Sequence, residues 1–151
     1  MERDVCTIIN KNALLHKRLM TKILERFNLT YAQYQVLKII KAREGLSAKE
    51  VLSHTDTDKA TLSGVLARLE KRGLIIRESD DNDRRLKHIR LVAESRALCE
   101  TVADIESDCE RDLLKGLKTK EIRIFFEVSN HIADKQLRMI DAATDDSDEV
   151  S

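Results

Sequence analysis

A chain of 151 residues with no proline and only four glycines contains few helix breakers, so long helices are expected. Aromatics are scarce, which leaves Leu, Ile and Val to fill the core of one domain or two small subdomains. The 27 Lys and Arg balance the 27 Asp and Glu, so overall charge points to no partner.

Other broad classes are excluded next. Cys6, Cys99 and Cys109 form no CxxC and no pairable set. No signal peptide and no apolar run of membrane-spanning length is present, so a cytoplasmic, reducing location without a membrane partner is expected. His16, His54, His88 and His131 are scattered without metal-ligand spacing, and no phosphate loop, GxSxG or paired-carboxylate motif stands out. Neither an enzyme nor a bound metal or cofactor is therefore expected.

Charge is unevenly placed. Residues 1–92 hold 19 Lys and Arg against 12 Asp and Glu, a net of +7, and residues 93–151 hold 8 against 15, a net of −7. This split suits a polyanion at the first part, although a merely dipolar protein would show it too.

In chain order, Val5, Ile8, Ile9, Leu15, Leu19, Ile23 and Phe27 recur at three- and four-residue steps, which predicts an amphipathic helix over about 4–27. After "NLT", Thr30 and Gln33 have capping-box spacing and open a second helix with Tyr34, Leu37 and Ile40 inward. Ser47 and Glu50 repeat that signature for a short third helix that buries Val51 and Leu52. Asp58 is an N-cap for a fourth helix with Leu62, Val65, Leu66 and Leu69 on one face, and Gly73 stops it.

"LIIRES" and "LKHIRL" then read as a hairpin with "DDNDRR" at its tip. Leu98, Val102, Ile105, Cys109, Leu113 and Leu117 mark a fifth helix. Thr119 can cap a sixth, with Ile122, Phe125, Phe126, Ile132, Leu137 and Ile140 on its buried side, and "DDSDEV" reads as a frayed acidic tail.

Two short helices, a polar turn and a hairpin describe a winged helix-turn-helix, whose second helix enters the major groove. Opposite the apolar stripe of the fourth helix lie Ala60, Gly64, Ala67 and Lys71, flanked by Thr61, Ser63 and Arg68, with Lys59 at the tip. An idle surface helix would carry Glu and Lys, whereas small and hydroxyl-bearing residues permit close approach to base edges. The competing reading packs Ala60, Gly64 and Ala67 against another protein helix. At the hairpin tip, Arg84 or Arg85 suits a narrow minor groove while the other pairs with Asp83 or a phosphate, and Lys87 and Arg90 extend the positive strip.

The stretch "DKATLSGVLARLEKRGLIIRESDDNDRRLKHIRL" resembles the signature region of the multiple-antibiotic-resistance regulator (MarR) family of transcription factors. Asp58, Thr61, Arg68 to Ile75, Arg77, Asp80 and Asp83 to Arg85 match its pattern, and "LTYAQYQVL" is similar to its second-helix entry. The chain departs from that pattern at Asp81, Val92 and Ser95, where the family often has Pro, Thr and Gly, which leaves the start of the fifth helix open.

The resemblance implies a mainly α fold with a minor β part. A winged helix-turn-helix over 30–92 would carry a two-stranded β-wing, a helical dimerisation domain would be built from 1–29 and 93–143, and 144–151 would be a flexible acidic tail. It further implies a homodimer on a palindromic double-stranded DNA operator, acting as a repressor released by a small aromatic or anionic effector. Cys6 lies 25 residues before Tyr31, a spacing similar to the peroxide-sensing branch of the family. There a first-helix cysteine is oxidised next to a tyrosine; a small apolar cysteine on a dimer face is the plainer reading. An adaptor or antirepressor of the same fold that has lost DNA binding is the alternative from another class.

Overall fold

The computed structural model describes residues 4–80, 83 and 87–148, with side chains to residue 143. Its elements are α1 (Val5–Glu25), α2 (Tyr31–Ala42), α3 (Ala48–Ser53), α4 (Lys59–Lys71), β1 (Ile75–Ser79), β2 (Lys87–Leu91), α5 (Ala93–Leu114) and α6 (Thr119–Asp148), in the order the sequence predicts. The architecture is a mainly helical winged helix-turn-helix fold.

Side-chain caps fix the helix starts. Asp4 accepts from the amides of Cys6 and Thr7 at the head of α1. Thr30 with Gln33 and Ser47 with Glu50 form complete capping boxes at α2 and α3. Asp58 caps α4 by accepting from the Thr61 amide at 2.8 Å.

Two matching stops follow. Asn28 (φ 52°) and Gly73 (φ 67°) adopt the left-handed region. Beside them Leu29 N–H donates to the Leu24 carbonyl and Leu74 N–H to the Leu69 carbonyl, the six-to-one bond of a Schellman motif.

β1 and β2 pair antiparallel from Ile75 opposite Leu91 to Ser79 opposite Lys87. The loop after α2 joins them: Gly45 N–H donates to the Ile89 carbonyl at 3.1 Å, and Ile89 N–H to the Leu46 carbonyl at 2.9 Å. The wing is thereby stitched to the helix-turn-helix by backbone as well as by chain continuity.

The chain divides into two compact units, 1–106 and 107–151. The core of the first holds Met20 and Leu24 of α1, Tyr34, Leu37 and Ile40 of α2, Val51, the α4 stripe, Ile75, Ile89, Cys99 and Val102. Three polar ties run through it. Ser95 is fully buried, and its Oγ donates to the Leu74 carbonyl at 2.6 Å. Arg72 donates to the Asn28 carbonyl at 2.6 Å and to Gln33 Oε1 at 3.3 Å. The Tyr34 hydroxyl donates to Glu106 Oε2 at 2.6 Å, and burial, aided by that bond, pushes its phenol well above the ordinary range.

Several expectations change. Val5, Ile8, Leu15 and Leu19 of α1 are exposed, because only Met20, Ile23 and Leu24 of that helix are buried. Phe125, Phe126, Leu137 and Ile140, expected on a buried side of α6, are also exposed, as is Leu113. The helices are amphipathic, as the periodicity predicts, and these apolar faces are uncovered in a single chain.

α5 ends at Leu114, and Gly116 (φ 89°) turns the chain, so Leu117 lies outside it. Thr119 is the first helical residue of α6, not its cap. No Gly or Pro follows Gly116, so the α6 backbone continues to Asp148, into the stretch expected as a tail. α5 starts at Ala93, and Ser95 uses its hydroxyl to bind the turn after α4.

Ser95→Ala is expected to lower the unfolding free energy by about 1 kcal/mol, the usual net value of one buried hydrogen bond. Urea denaturation should show a lower midpoint with an unchanged slope.

Candidate nucleic-acid interface

α4 is two-faced. Leu62, Val65, Leu66 and Leu69 are buried, with Leu69 and Leu66 almost fully so. Around the helix, Lys59, Ala60, Thr61, Ser63, Ala67, Arg68 and Lys71 are exposed and Gly64 is half-buried. The packed stripe leaves one orientation for the helix, and that orientation turns the small and basic residues outward.

Local bonds refine the residues expected to act. Thr61 Oγ1 donates to Asp58 Oδ2 at 2.8 Å, so its hydroxyl proton is committed to the cap and its oxygen remains an acceptor. Arg68 Nε donates to the Gly64 carbonyl at 3.1 Å, folding the guanidinium along the helix. A Cβ on Gly64 would come within 3.1 Å of the Arg68 guanidinium, so the glycine gives that side chain its room. Lys59, Ser63 and Lys71 stand on the same outer surface.

At the wing, Asp83 and Lys87 are exposed, and Asp83 N–H donates to Asp80 Oδ1 at 2.9 Å. Arg84 and Arg85 lie outside the described residues. Arg90 is engaged rather than free: its Nε meets Glu78 at 2.9 Å, and its guanidinium lies 3.9 Å from Glu44.

Cys6 is exposed near the start of α1. Tyr31 instead faces Lys17, whose ammonium lies 5.9 Å from the ring centroid. Cys6 and Lys17 are separated by 11 helical residues, about 16 Å of helix axis. Tyr31 thus stacks near the middle of α1, whereas Cys6 sits at its start. Cys99 is buried, and burial pushes its thiol up, which suits core packing.

Sequence reasoning gave His54 and Lys17 no role, yet both line a cavity of about 480 Å³ with Tyr31, Val36, Thr61 and Val65. His54 Nε2 lies 3.3 Å from the Arg43 guanidinium. Among the described residues, no group of three or more His, Cys, Asp or Glu could hold a metal ion, and no helix is long and apolar enough to cross a membrane.

Known proteins share this fold and family. Residues 27–86 match the MarR family. The transcriptional regulator HosA of Escherichia coli is 31% identical over 101 residues, spanning 67% of this chain and 75% of that protein. The organic hydroperoxide resistance transcriptional regulator of Bacillus subtilis is 29% identical over 105 residues, spanning 70% of this chain and 71% of that protein. The S. aureus MepR–DNA complex superposes with a TM-score of 0.78 at 24% identity, over 89% of this chain and 99% of that one.

The Asp58 cap yields a pH-dependent expectation. The Thr61 amide, then the Thr61 hydroxyl, hold its carboxyl below the usual range. A depressed carboxylate stabilises above its unfolded value of about 3.9 and loses that effect as pH falls through the lower folded value. The protection of the Thr61 amide relative to its intrinsic exchange rate should fall roughly fivefold in Asp58→Ala at neutral pH, and in the natural chain only under acid.

Proposed function

We propose that this chain, which belongs to the MarR family of transcriptional regulators, binds double-stranded DNA as a homodimeric repressor of a palindromic operator. The observation that carries this reading is the outer face of α4. Small and hydroxyl-bearing residues, with Lys59, Arg68 and Lys71, occupy the side opposite a fully packed stripe. Ala60, Ser63 and Gly64 allow base edges to come close, and the Thr61 oxygen accepts from a base amino group. Lys59, Lys71 and Lys87 supply phosphate contacts. Arg68 leaves the Gly64 carbonyl for DNA, while Arg84 and Arg85 reach the minor groove from the wing, oriented by Asp83. MepR, a protein of the same fold, is known bound to DNA.

Dimerisation is supported by the exposed apolar residues of α1 and α6. Phe125 and Phe126, with centroids 5.8 Å apart, remain 57% and 48% exposed in the single chain. Release by a small aromatic or anionic effector is supported by the cavity beside Tyr31, Lys17 and His54. It touches Thr61 and Leu62, so an occupant would bear directly on the first turn of α4. Release by oxidation would begin at the exposed Cys6, with Tyr31 supplied by a second copy. Action in the cytoplasm completes the reading.

A duplex selected by the chain from a random library should bind with a steep loss of affinity as salt rises. Lys59→Ala should reduce the slope of log affinity against log salt by about two, one for each subunit of the dimer, and Arg85→Ala should weaken binding markedly. Salt-insensitive or absent binding would favour an adaptor of the same fold.

Sedimentation at micromolar concentration should show a dimer. Phe125→Glu with Leu137→Glu should shift it toward monomer, and since both residues are exposed in the single chain, the folded subunit should persist.

A further inference from the structure

We propose that His88, held as an imidazolium between Asp80 and the Gly45 carbonyl, is a positioning residue that fixes the base of the wing to the α2–α3 loop. His88 Nδ1 lies 2.7 Å from the Gly45 carbonyl oxygen, and Nε2 lies 2.9 Å from Asp80 Oδ2. A backbone carbonyl carries no proton, and a carboxylate at neutral pH carries none either. Both ring nitrogens must therefore donate, which only the doubly protonated ring does. A neutral ring satisfies one acceptor and turns a lone pair toward the other.

The bond joins three segments, alongside Arg90 of the same strand, which meets Glu78 and Glu44. Asp80 is the residue at which β1 gives way to the wing tip, and its other oxygen accepts the Asp83 amide at 2.9 Å. Gly45 belongs to the loop between α2 and α3, already paired by backbone with Ile89. His88 sits on β2, next to the exposed Lys87. The imidazolium thus pins the entry to the tip, its exit, and the helix-turn-helix loop together.

The charged neighbours are mixed. Glu78 is its cross-strand partner and Glu50 faces it from α3. Arg90 on the same strand opposes the charge, and Lys49 lines the same small cleft. The bond to Asp80 outweighs the rest, followed by that to Gly45, and the ring is pushed above its ordinary value. A raised folded value means the contribution is fully present below the unfolded value of about 6.5 and is lost as pH rises through the folded one.

For DNA the consequence rests on the proposed function: the doubly protonated His88 helps to hold the wing residues Asp83 and Lys87 in the geometry that meets the duplex. Affinity should therefore fall across the mildly alkaline range.

The test has two arms. In the full chain without DNA, the His88 ring is followed by NMR from about pH 5.5 to about 9.5. It should titrate above about 6.5 and drop toward that value in Asp80→Asn, which keeps an oxygen for the Asp83 amide. In the second arm, affinity for the duplex selected from the random library is measured across the same range. The natural chain should weaken roughly three- to tenfold through the His88 titration, while His88→Gln should be weaker at low pH and flat through it.

A His88 that titrates at or below the ordinary value overturns the proposal. So does an elevated His88 whose loss leaves the pH profile of binding unchanged. If the ring titrates high, responds to Asp80→Asn, and no duplex binds at any pH, the brace is supported and the DNA reading fails.

Discussion

The seating of α4 governs the rest of the molecule. Leu62, Val65, Leu66 and Leu69 enter a core floored by Tyr34, Leu37 and Ile40. Burying each such aliphatic side chain is worth about 2 kcal/mol, far more than any surface bond near α4. A rotation of the helix by one residue would bring polar groups inward and lose that term. The outer face is then no longer free to vary its direction, only its composition. A surface whose aim is fixed by packing and whose residues are small is suited to reading a partner closely, because nothing on it must also serve the core.

Polar contacts complete what packing begins. Arg72, one residue beyond α4, binds the Asn28 carbonyl and Gln33, so the end of α4 is tied to the turn between α1 and α2. Ser95 binds the Leu74 carbonyl, so the same turn after α4 anchors the head of α5. The Tyr34 hydroxyl reaches Glu106 farther along α5, and Lys38 lies 3.4 Å from the same carboxylate. Aliphatic burial is non-directional; these bonds give each junction one geometry.

Which features the sequence revealed follows from the range of the forces involved. Caps and stops depend on residues three or four apart, so Thr30 with Gln33, Ser47 with Glu50, Asp58 and Gly73 were readable directly. The α4 stripe was readable for the same reason, through helical period. Period cannot say what covers a face, and so Phe125 and Leu137, expected on a buried side, are exposed in one chain, as are Val5 and Ile8. Ties across long separations were illegible. His88 with Gly45 spans 43 residues and Tyr34 with Glu106 spans 72, and neither leaves a local pattern. The outward α4 residues were located by elimination from the stripe, whereas the fold of Arg68 onto Gly64 and the engagement of the Thr61 hydroxyl needed coordinates.

Three acids of the positively charged first part are engaged in local bonds. Asp58 takes the Thr61 amide and hydroxyl at the head of α4. A helix N-terminus is where a phosphate would otherwise settle, and here the helix's own carboxylate fills that place. Glu50 is spent on the Ser47 amide and hydroxyl at the head of α3, and Asp80 on the Asp83 amide and His88. Each acid shapes a terminus or a turn. The exposed cations on α4 are side chains, Lys59 and Lys71 among them, and on the proposed reading these rather than a backbone nest would meet an anion. On the proposed reading such contacts would tolerate many phosphate positions, and discrimination between sequences would fall to the small residues of α4, where close approach rather than charge decides the fit.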